Sequence, residues 1–172
     1  MENQIKIRFA SPRDLEEIIL IEQENFSVEE AASPQAMKER LEKIADTFLV
    51  AEFSDQIVGY IVGPVIEARH LTDDLFEEVV ENPETAGFIA VQSLSVRADY
   101  KGQGLGTLLL AALKELAVKN ERQGISLTCH DYLISYYEMN GFVNEGLSQS
   151  LHGGATWYDL VWDNPYLSEE EK

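Results

Sequence analysis

The sequence predicts a single α/β (α+β) domain, and three observations carry that prediction. The chain has 172 residues, 45% of them hydrophobic and one a cysteine, which suits one folded core held without disulfides. Strand-like and helix-like patterns alternate in the order βααβββαβαββ, about seven strands and four helices. Near the middle, an apolar strand pattern enters a glycine-rich turn that opens a Leu-rich helix. The domain is expected over residues 1–162, followed by an acidic C-terminal tail over 163–172.

Ile5, Ile7 and Phe9 alternate with Lys6 and Arg8, the period of a half-buried strand. Ser11-Pro12-Arg13-Asp14 then reads as a helix start, with Ser as N-cap, Pro at the first helical position and an acid three residues after the cap. Leu15, Ile18 and Ile19 share a face of that helix, and Asn25 to Ala32 reads as a loop. Ser33-Pro34 starts a second helix running to about Ile44. Thr47 to Ala51 and Ile57 to Val65 form a hairpin around Ser54-Asp55-Gln56. Residues 67–86 are an acidic excursion off the sheet, with a short helical pattern from Leu71 to Val80 and a break at Asn82-Pro83. Gly87 to Val96 reads as one central strand.

Leu105, Leu108, Leu109, Ala112, Leu113, Leu116 and Ala117 keep helical spacing. Ile125 to Cys129 is the next strand, and Tyr132 to Met139 a short helix ended by Asn140-Gly141. Phe142 to Leu151 and Thr156 to Trp162 form a last strand pair around His152-Gly153-Gly154. Trp157, Tyr158 and Trp162 on that last strand pack the sheet or a homodimer interface.

The chain carries 13 Lys+Arg against 31 Asp+Glu, a formal charge of −18. That balance opposes binding to nucleic acid or to an anionic membrane. Residues 1–86 hold 7 basic and 20 acidic side chains, residues 87–172 hold 6 and 11. The excess is either a set of solvated helix faces or a cation-attracting mouth in the first half. No basic segment followed by an apolar run opens the chain, so a cytoplasmic location is expected. His70, His130 and His152 lack metal-ligand spacing, and no metal is expected.

The segment Leu94-Ser95-Val96-Arg97-Ala98-Asp99-Tyr100-Lys101-Gly102-Gln103-Gly104-Leu105-Gly106-Thr107 carries most of the chemistry. Glycine admits a ligand close to the backbone, and the amides of a helix start favour an anion such as phosphate. A Walker loop needs a Lys before its Ser/Thr, and Thr107 follows Gly106 instead. A dinucleotide fingerprint needs Gly or Ala where Thr107 stands.

Lys101, two residues, Gly104, one residue and Gly106 before a Leu-rich helix resemble the pyrophosphate loop of the GNAT-type N-acetyltransferases, with Lys in place of the usual Arg or Gln. Tyr137-Glu138-Met139-Asn140-Gly141-Phe142 resembles that family's Tyr-x-x-x-Gly-Phe signature, and the element order over residues 5–162 agrees. Within the superfamily the chain is similar to the arylalkylamine (serotonin) N-acetyltransferase-like branch. Cys129-His130-Asp131, Ser93-Leu94-Ser95-Val96 and Glu29-Glu30-Ala31-Ala32-Ser33 carry that narrower likeness.

The resemblance implies a mixed, mostly antiparallel sheet, splayed at its central strands to admit acetyl-CoA. It implies direct acetyl transfer to a primary amine, with an arylalkylamine or polyamine suiting the acidic first half. Leu94, Ser95 and Val96 would pair with the pantetheine arm, the Leu94 amide lying at the thioester carbonyl. Lys101, Gly102, Gln103, Gly104, Leu105, Gly106 and Thr107 would hold the pyrophosphate. Tyr137 would protonate the leaving thiolate, a phenol of pKa about 10 being a reasonable acid for a thiol; the other reading of Tyr137 is a core aromatic on an amphipathic helix, a role that Tyr136 beside it fits. Phe26 and Ser27 lie where the family builds its acceptor wall, and Gln92, Thr128 and His130 are further acceptor-side candidates. The branch's two base histidines fall at Ala90 and Gln92, neither of which can take a proton. The alternatives are acetylation of a protein N-terminus or lysine, or a CoA-binding sensor without turnover.

Overall fold

A computed structural model of the chain describes residues 4–76 and 78–167. Its strands are β1 Lys6–Phe9, β2 Phe48–Phe53, β3 Gln56–Val62, β4 Val65–Ile66, β5 Phe88–Ala90, β6 Ser93–Val96, β7 Gly124–Cys129, β8 Val143–Leu147 and β9 Tyr158–Asp163. The α-helices are α1 Leu15–Asn25, α2 Pro34–Lys43, α3 Leu105–Lys119 and α4 Ile134–Met139. The predicted α/β class, helix count and element order hold. The seven expected strands become nine because two of them divide.

The first division makes the site. Gly87 to Val96 is not one strand but two, β5 and β6, in different sheets. The Val91 amide donates to Ser126 O at 2.8 Å, while the next amide, of Gln92, donates to Val62 O at 2.8 Å. β5 therefore runs parallel to β7 and β6 runs antiparallel to β3. One sheet has the order β1-β2-β3-β6 and the other β4-β5-β7-β9-β8. Past Val91 the β6 and β7 edges have no ladder between them, so the two sheets splay there. The second division, between β3 and β4, falls at Gly63, where the backbone of Ala90 comes so close that no side chain fits.

The two faces are packed separately. α3 and α4 cover one with Leu105, Leu109, Leu113 and Tyr137 against Ile61, Ile89, Ile125, Leu127 and Leu160. On the other face, Ile18 and Ile21 of α1 and Met37 and Leu41 of α2 bury Phe48, Tyr60 and Val62. Both predicted helix starts are present. Ser33 Oγ accepts the Ala36 amide at 3.1 Å, with Pro34 in the first turn. Asp14 accepts the Ser11 amide at 2.8 Å, but a short 3₁₀ turn, Pro12–Asp14, precedes α1.

The excursion departs from the expected helical pattern. Of Leu71 to Val80 only Asp73–Phe76 forms a turn, and that turn is 3₁₀; residue 77 lies outside the described residues. Its polar groups bond outward instead of along a helix. Asp73 accepts from Ser150 Oγ at 2.5 Å and from the Leu151 amide at 2.9 Å. Arg69 pairs with Glu145 at 2.7 Å and with Asp163 at 2.9 Å. Tertiary partners thus override a weak local pattern, and the segment lies across the face of β7, β8 and β9 left uncovered by α3 and α4.

The ordered domain runs past Trp162. Asp163 closes β9, and Asn164 is buried with its amide donating to Arg122 O at 2.9 Å. The expected acidic tail is ordered at its start, and its residues 168–172 lie outside the described residues.

Candidate active site

The glycine turn has the geometry an anion needs. Gly102 and Gly104 take φ of 80° and 82°, left-handed backbone that favours glycine, and a Cβ on either would meet nothing within 4 Å. Gly104 caps α3 without a side-chain hydrogen bond, and the first intrahelical bond returns from the Leu108 amide to Gly104 O at 3.0 Å. The amides of Leu105, Gly106 and Thr107 therefore point out of the helix start without an intrahelical acceptor. Lys101 is exposed beside them. Tyr136 does not simply fill the core: its hydroxyl covers the position where a Cβ on Gly106 would stand and lies 3.5 Å from Thr107 Oγ1.

The β6 edge leads into that turn. The Arg97 amide donates to Val58 O at 2.8 Å, and alternation along the antiparallel pair turns the Leu94 and Val96 amides away from β3, towards the splay. A residue the sequence reading missed stands here. Asn25, the last of α1, donates from Nδ2 to Val96 O at 2.7 Å and to Ser95 Oγ at 2.5 Å. Nothing in the spacing of α1 singles it out.

Tyr137 is buried from α4, its ring edge-on to Phe142 at 5.8 Å and to Tyr136 at 5.2 Å. Burial pushes its phenol well above the ordinary value, and Cys129 and Tyr136 add to the shift, so the proton is held through neutral and mildly alkaline pH. Burial likewise pushes the Cys129 thiol up to about 12, with Asp131 adding. Cys129 is thus a protonated core residue, as its position on the apolar face of β7 predicts.

The opposite face of β7 carries Ser126, Thr128 and, just beyond the strand, His130. His130 stacks on Trp157 with centroids 4.3 Å apart and on Tyr132 at 5.3 Å, and its Nε2 lies 3.3 Å from Glu30 Oε1. Trp157 Nε1 donates to His152 O at 2.8 Å, and His152 Nε2 lies 3.2 Å from Glu30 O. Three loops meet at this group, the α1–α2 loop, the end of β7 and the β8–β9 loop. Phe26 and Ser27 begin the first of these: Ser27 O accepts the Glu30 and Ala31 amides at 3.0 and 2.8 Å, the turn that brings Glu30 to His130. Trp157 therefore faces the mouth, while Tyr158 and Trp162 pack on the α3–α4 side.

The two positions matched to the arylalkylamine branch's histidines end elsewhere. Ala90 is fully buried opposite Ser126, and Gln92 Nε2 donates to Leu75 O of the excursion at 2.8 Å. Two groups on this face were not foreseen. Asp159 of β9 stands opposite Thr128, with 5% of its surface exposed, and His70 of the excursion lies 3.7 Å from its Oδ2. Its only sequence signal is an acid set between apolar and aromatic residues inside a strand. Among the described residues no group of three or more His, Cys, Asp or Glu could hold a metal ion, and no helix is long and apolar enough to cross a membrane.

A family model described as an acetyltransferase (GNAT) domain matches residues 11–157. The fold is similar to that of the loading GNATL domain of CurA from Lyngbya majuscula, with a TM-score of 0.80 and 15% identity over 96% of this chain and 100% of that one. It is similar to Ard1 from Thermoplasma volcanium, with a TM-score of 0.69 and 20% identity over 92% of this chain and 97% of that one. A chain of the NatC complex bound to Gag peptide and CoA gives a TM-score of 0.70 and 17% identity over 93% and 98% of the two chains. No curated protein matches the sequence at a significant level.

Proposed function

The chain belongs to the GNAT acetyltransferase family, and from that premise we propose that it transfers the acetyl group of acetyl-CoA to the nitrogen of a small, cationic primary amine. The observation that carries the reading is the splay itself: an unpaired β6 edge that ends in an open glycine turn at a helix start. Those features fit acetyl-CoA, which supplies the activated acetyl group.

The outward amides of Leu105, Gly106 and Thr107 hold pyrophosphate oxygens, and Lys101 adds a positive charge. The Leu94 amide donates to the thioester carbonyl as negative charge develops on its oxygen, and Ser95 and Val96 continue the edge along the pantetheine arm. Tyr137 keeps its proton throughout the working pH range and gives it to the departing sulfur. On the acceptor side, Phe26, Ser27, Gln92, Thr128 and His130 border the entrance.

Two features favour a small cationic acceptor of the arylalkylamine or polyamine kind. Glu30 and the His130–Trp157 stack place negative charge beside an aromatic wall. The excursion, tied down by Arg69 and Asp73, crosses the face where an extended peptide would lie. The likeness to Ard1 and to the peptide-bound NatC chain supports a second reading, acetylation of a protein N-terminus. Release of CoA thiol from acetyl-CoA decides between them when measured with arylalkylamines, polyamines and N-terminal peptides. Turnover confined to small amines supports the first reading, and turnover confined to peptides the second. No release with any acceptor leaves a CoA-binding module.

A further inference from the structure

Three polar atoms on the excursion-side face of the second sheet are buried and have no hydrogen-bond partner within the protein: Asp159 Oδ1, Ser126 Oγ and Gln92 Oε1. Their placement is not scattered. Ile125, Leu127 and Cys129 of β7 and Leu160 of β9 face α3, so Ser126, Thr128 and Asp159 face the other way. Thr128 is the direct partner of Asp159, and Ser126 is the direct partner of Ala90. Gln92 follows Ala90 by two residues and reaches the same face, where it meets Leu75 O. Ser126 is thus the diagonal neighbour of both other groups, at the splay where the chain leaves β7 for β3 between β5 and β6.

All three atoms can accept a hydrogen bond, and one belongs to a carboxyl group. The rest of each group is already engaged or enclosed. His70 approaches the other Asp159 oxygen, Ser148 bonds its carboxyl, and the Gln92 amide nitrogen is spent on Leu75 O. Buried polar groups left open in this way mark a missing partner. A carboxylate oxygen, a hydroxyl and an amide oxygen left open on one face call for a cationic group rich in N–H donors, and a primary ammonium carries three such donors and a positive charge.

We propose that Asp159, Ser126 and Gln92 form the site that binds the ammonium group of the acceptor, with the Asp159 carboxylate as its counter-charge. This deepens the acetyltransferase reading and rests on it for the identity of the ligand. Burial raises the Asp159 carboxyl above its ordinary value, with Glu145 adding and His70 and Ser148 opposing. The same desolvation weakens the charged form of a bound ammonium. The proton that the nitrogen must lose before it attacks therefore has an acceptor in Asp159 Oδ1, from which it passes to water after transfer; the second N–H proton, lost as the tetrahedral intermediate collapses and the C–S bond breaks, replaces the one that Tyr137 gives to the sulfur.

The test needs no turnover. 2-Phenylethylamine and its neutral isostere 2-phenylethanol, and likewise cadaverine and 1,5-pentanediol, are titrated calorimetrically into the wild-type protein, Asp159→Asn and Ser126→Ala. The wild type should bind at least one amine ten times or more tighter than its alcohol. Asp159→Asn should abolish that preference, and Ser126→Ala should reduce it severalfold. Equal binding of both amines and their alcohols by the wild type overturns the proposal, as does a preference kept by a folded Asp159→Asn. Should Asp159→Asn fail to fold by circular dichroism, an undiminished preference in Ser126→Ala overturns it equally. The two readings fail separately. Amine acetylation by Asp159→Asn with unchanged KM removes this site and leaves the transferase standing, whereas no thiol release from the wild type removes the transferase and leaves the titrations to decide the site.

Discussion

The hydroxyl of Tyr136 occupies the space that a Cβ on Gly106 would need. α4 therefore braces the glycine turn that opens α3, and the tyrosine signature is coupled to that turn in space. Gly106→Ala should weaken acetyl-CoA binding about tenfold, roughly 1.4 kcal/mol. Adding Tyr136→Phe removes the obstructing atom and should restore most of that loss. Calorimetric titration of the single and double variants checks the coupling, and additive effects would show that the two residues act independently.

Gly104 differs in kind from Gly106. No atom lies within 4 Å of a Cβ there, and within the protein only its left-handed backbone favours glycine. Gly104→Val should cost about 1–2 kcal/mol of stability from the backbone alone. On the proposed pyrophosphate site it should weaken acetyl-CoA binding far more strongly, because the added side chain would enter the space assigned to phosphate. Unchanged cofactor affinity would reject the turn as the pyrophosphate site.

Tyr137→Phe removes one hydroxyl and keeps a ring packed on Phe142. General acid catalysis contributes about 10²–10⁴-fold, and a loss in kcat of about a hundredfold is expected, with KM for acetyl-CoA nearly unchanged. The loss should shrink at low pH, where solvent protonates the leaving sulfur more readily. Full kcat in this variant, with chemistry rate-limiting, would remove Tyr137 from the mechanism.

Hydrogen bonding from Arg69 lowers the Glu145 carboxyl to about 2, with His70 adding. A depressed carboxyl stabilises the fold above its unfolded value of about 4.3, and the contribution fades as pH falls from there towards 2. The excursion should loosen over that window before the core unfolds. Hydrogen exchange should then rise in residues 67–76 ahead of β7, and Glu145→Gln should show the same loosening at neutral pH.

Asp159 has the opposite sign. Its carboxyl is raised mainly by burial, so the folded state binds its proton more tightly than the unfolded one. Ionisation as pH rises through the carboxylate range costs stability that an amide does not lose. Asp159→Asn should match or exceed the wild type in Tm at pH 7 and fall behind it below pH 4. A clearly lower Tm at pH 7 would mean that the carboxylate serves the fold.

Much of this molecule is written in local signals. Ser33-Pro34 starts α2, the Leu105-to-Ala117 spacing makes α3, and Gly102 and Gly104 are called for by left-handed backbone at the helix start, all matters of near neighbours, whereas Gly106 is held to glycine by Tyr136 of α4. The family follows from the same segment together with Tyr137 to Phe142. What a local pattern could not supply is the partner of each strand edge. Val91 and Gln92 are adjacent and equally strand-like, yet they bond to different sheets, because only the packed α3 and α1 layers determine where β6 parts from β7. The excursion follows the same rule: its helical pattern gave way to Arg69 and Asp73 once β8 and β9 were within reach. Asp159 and Asn25 escaped notice because their meaning lies in what stands opposite them, Thr128 and Val96, some 31 and 71 positions away. Sequence thus determined the elements and the glycine turn, and tertiary structure alone decided which side chains line the splay between the sheets.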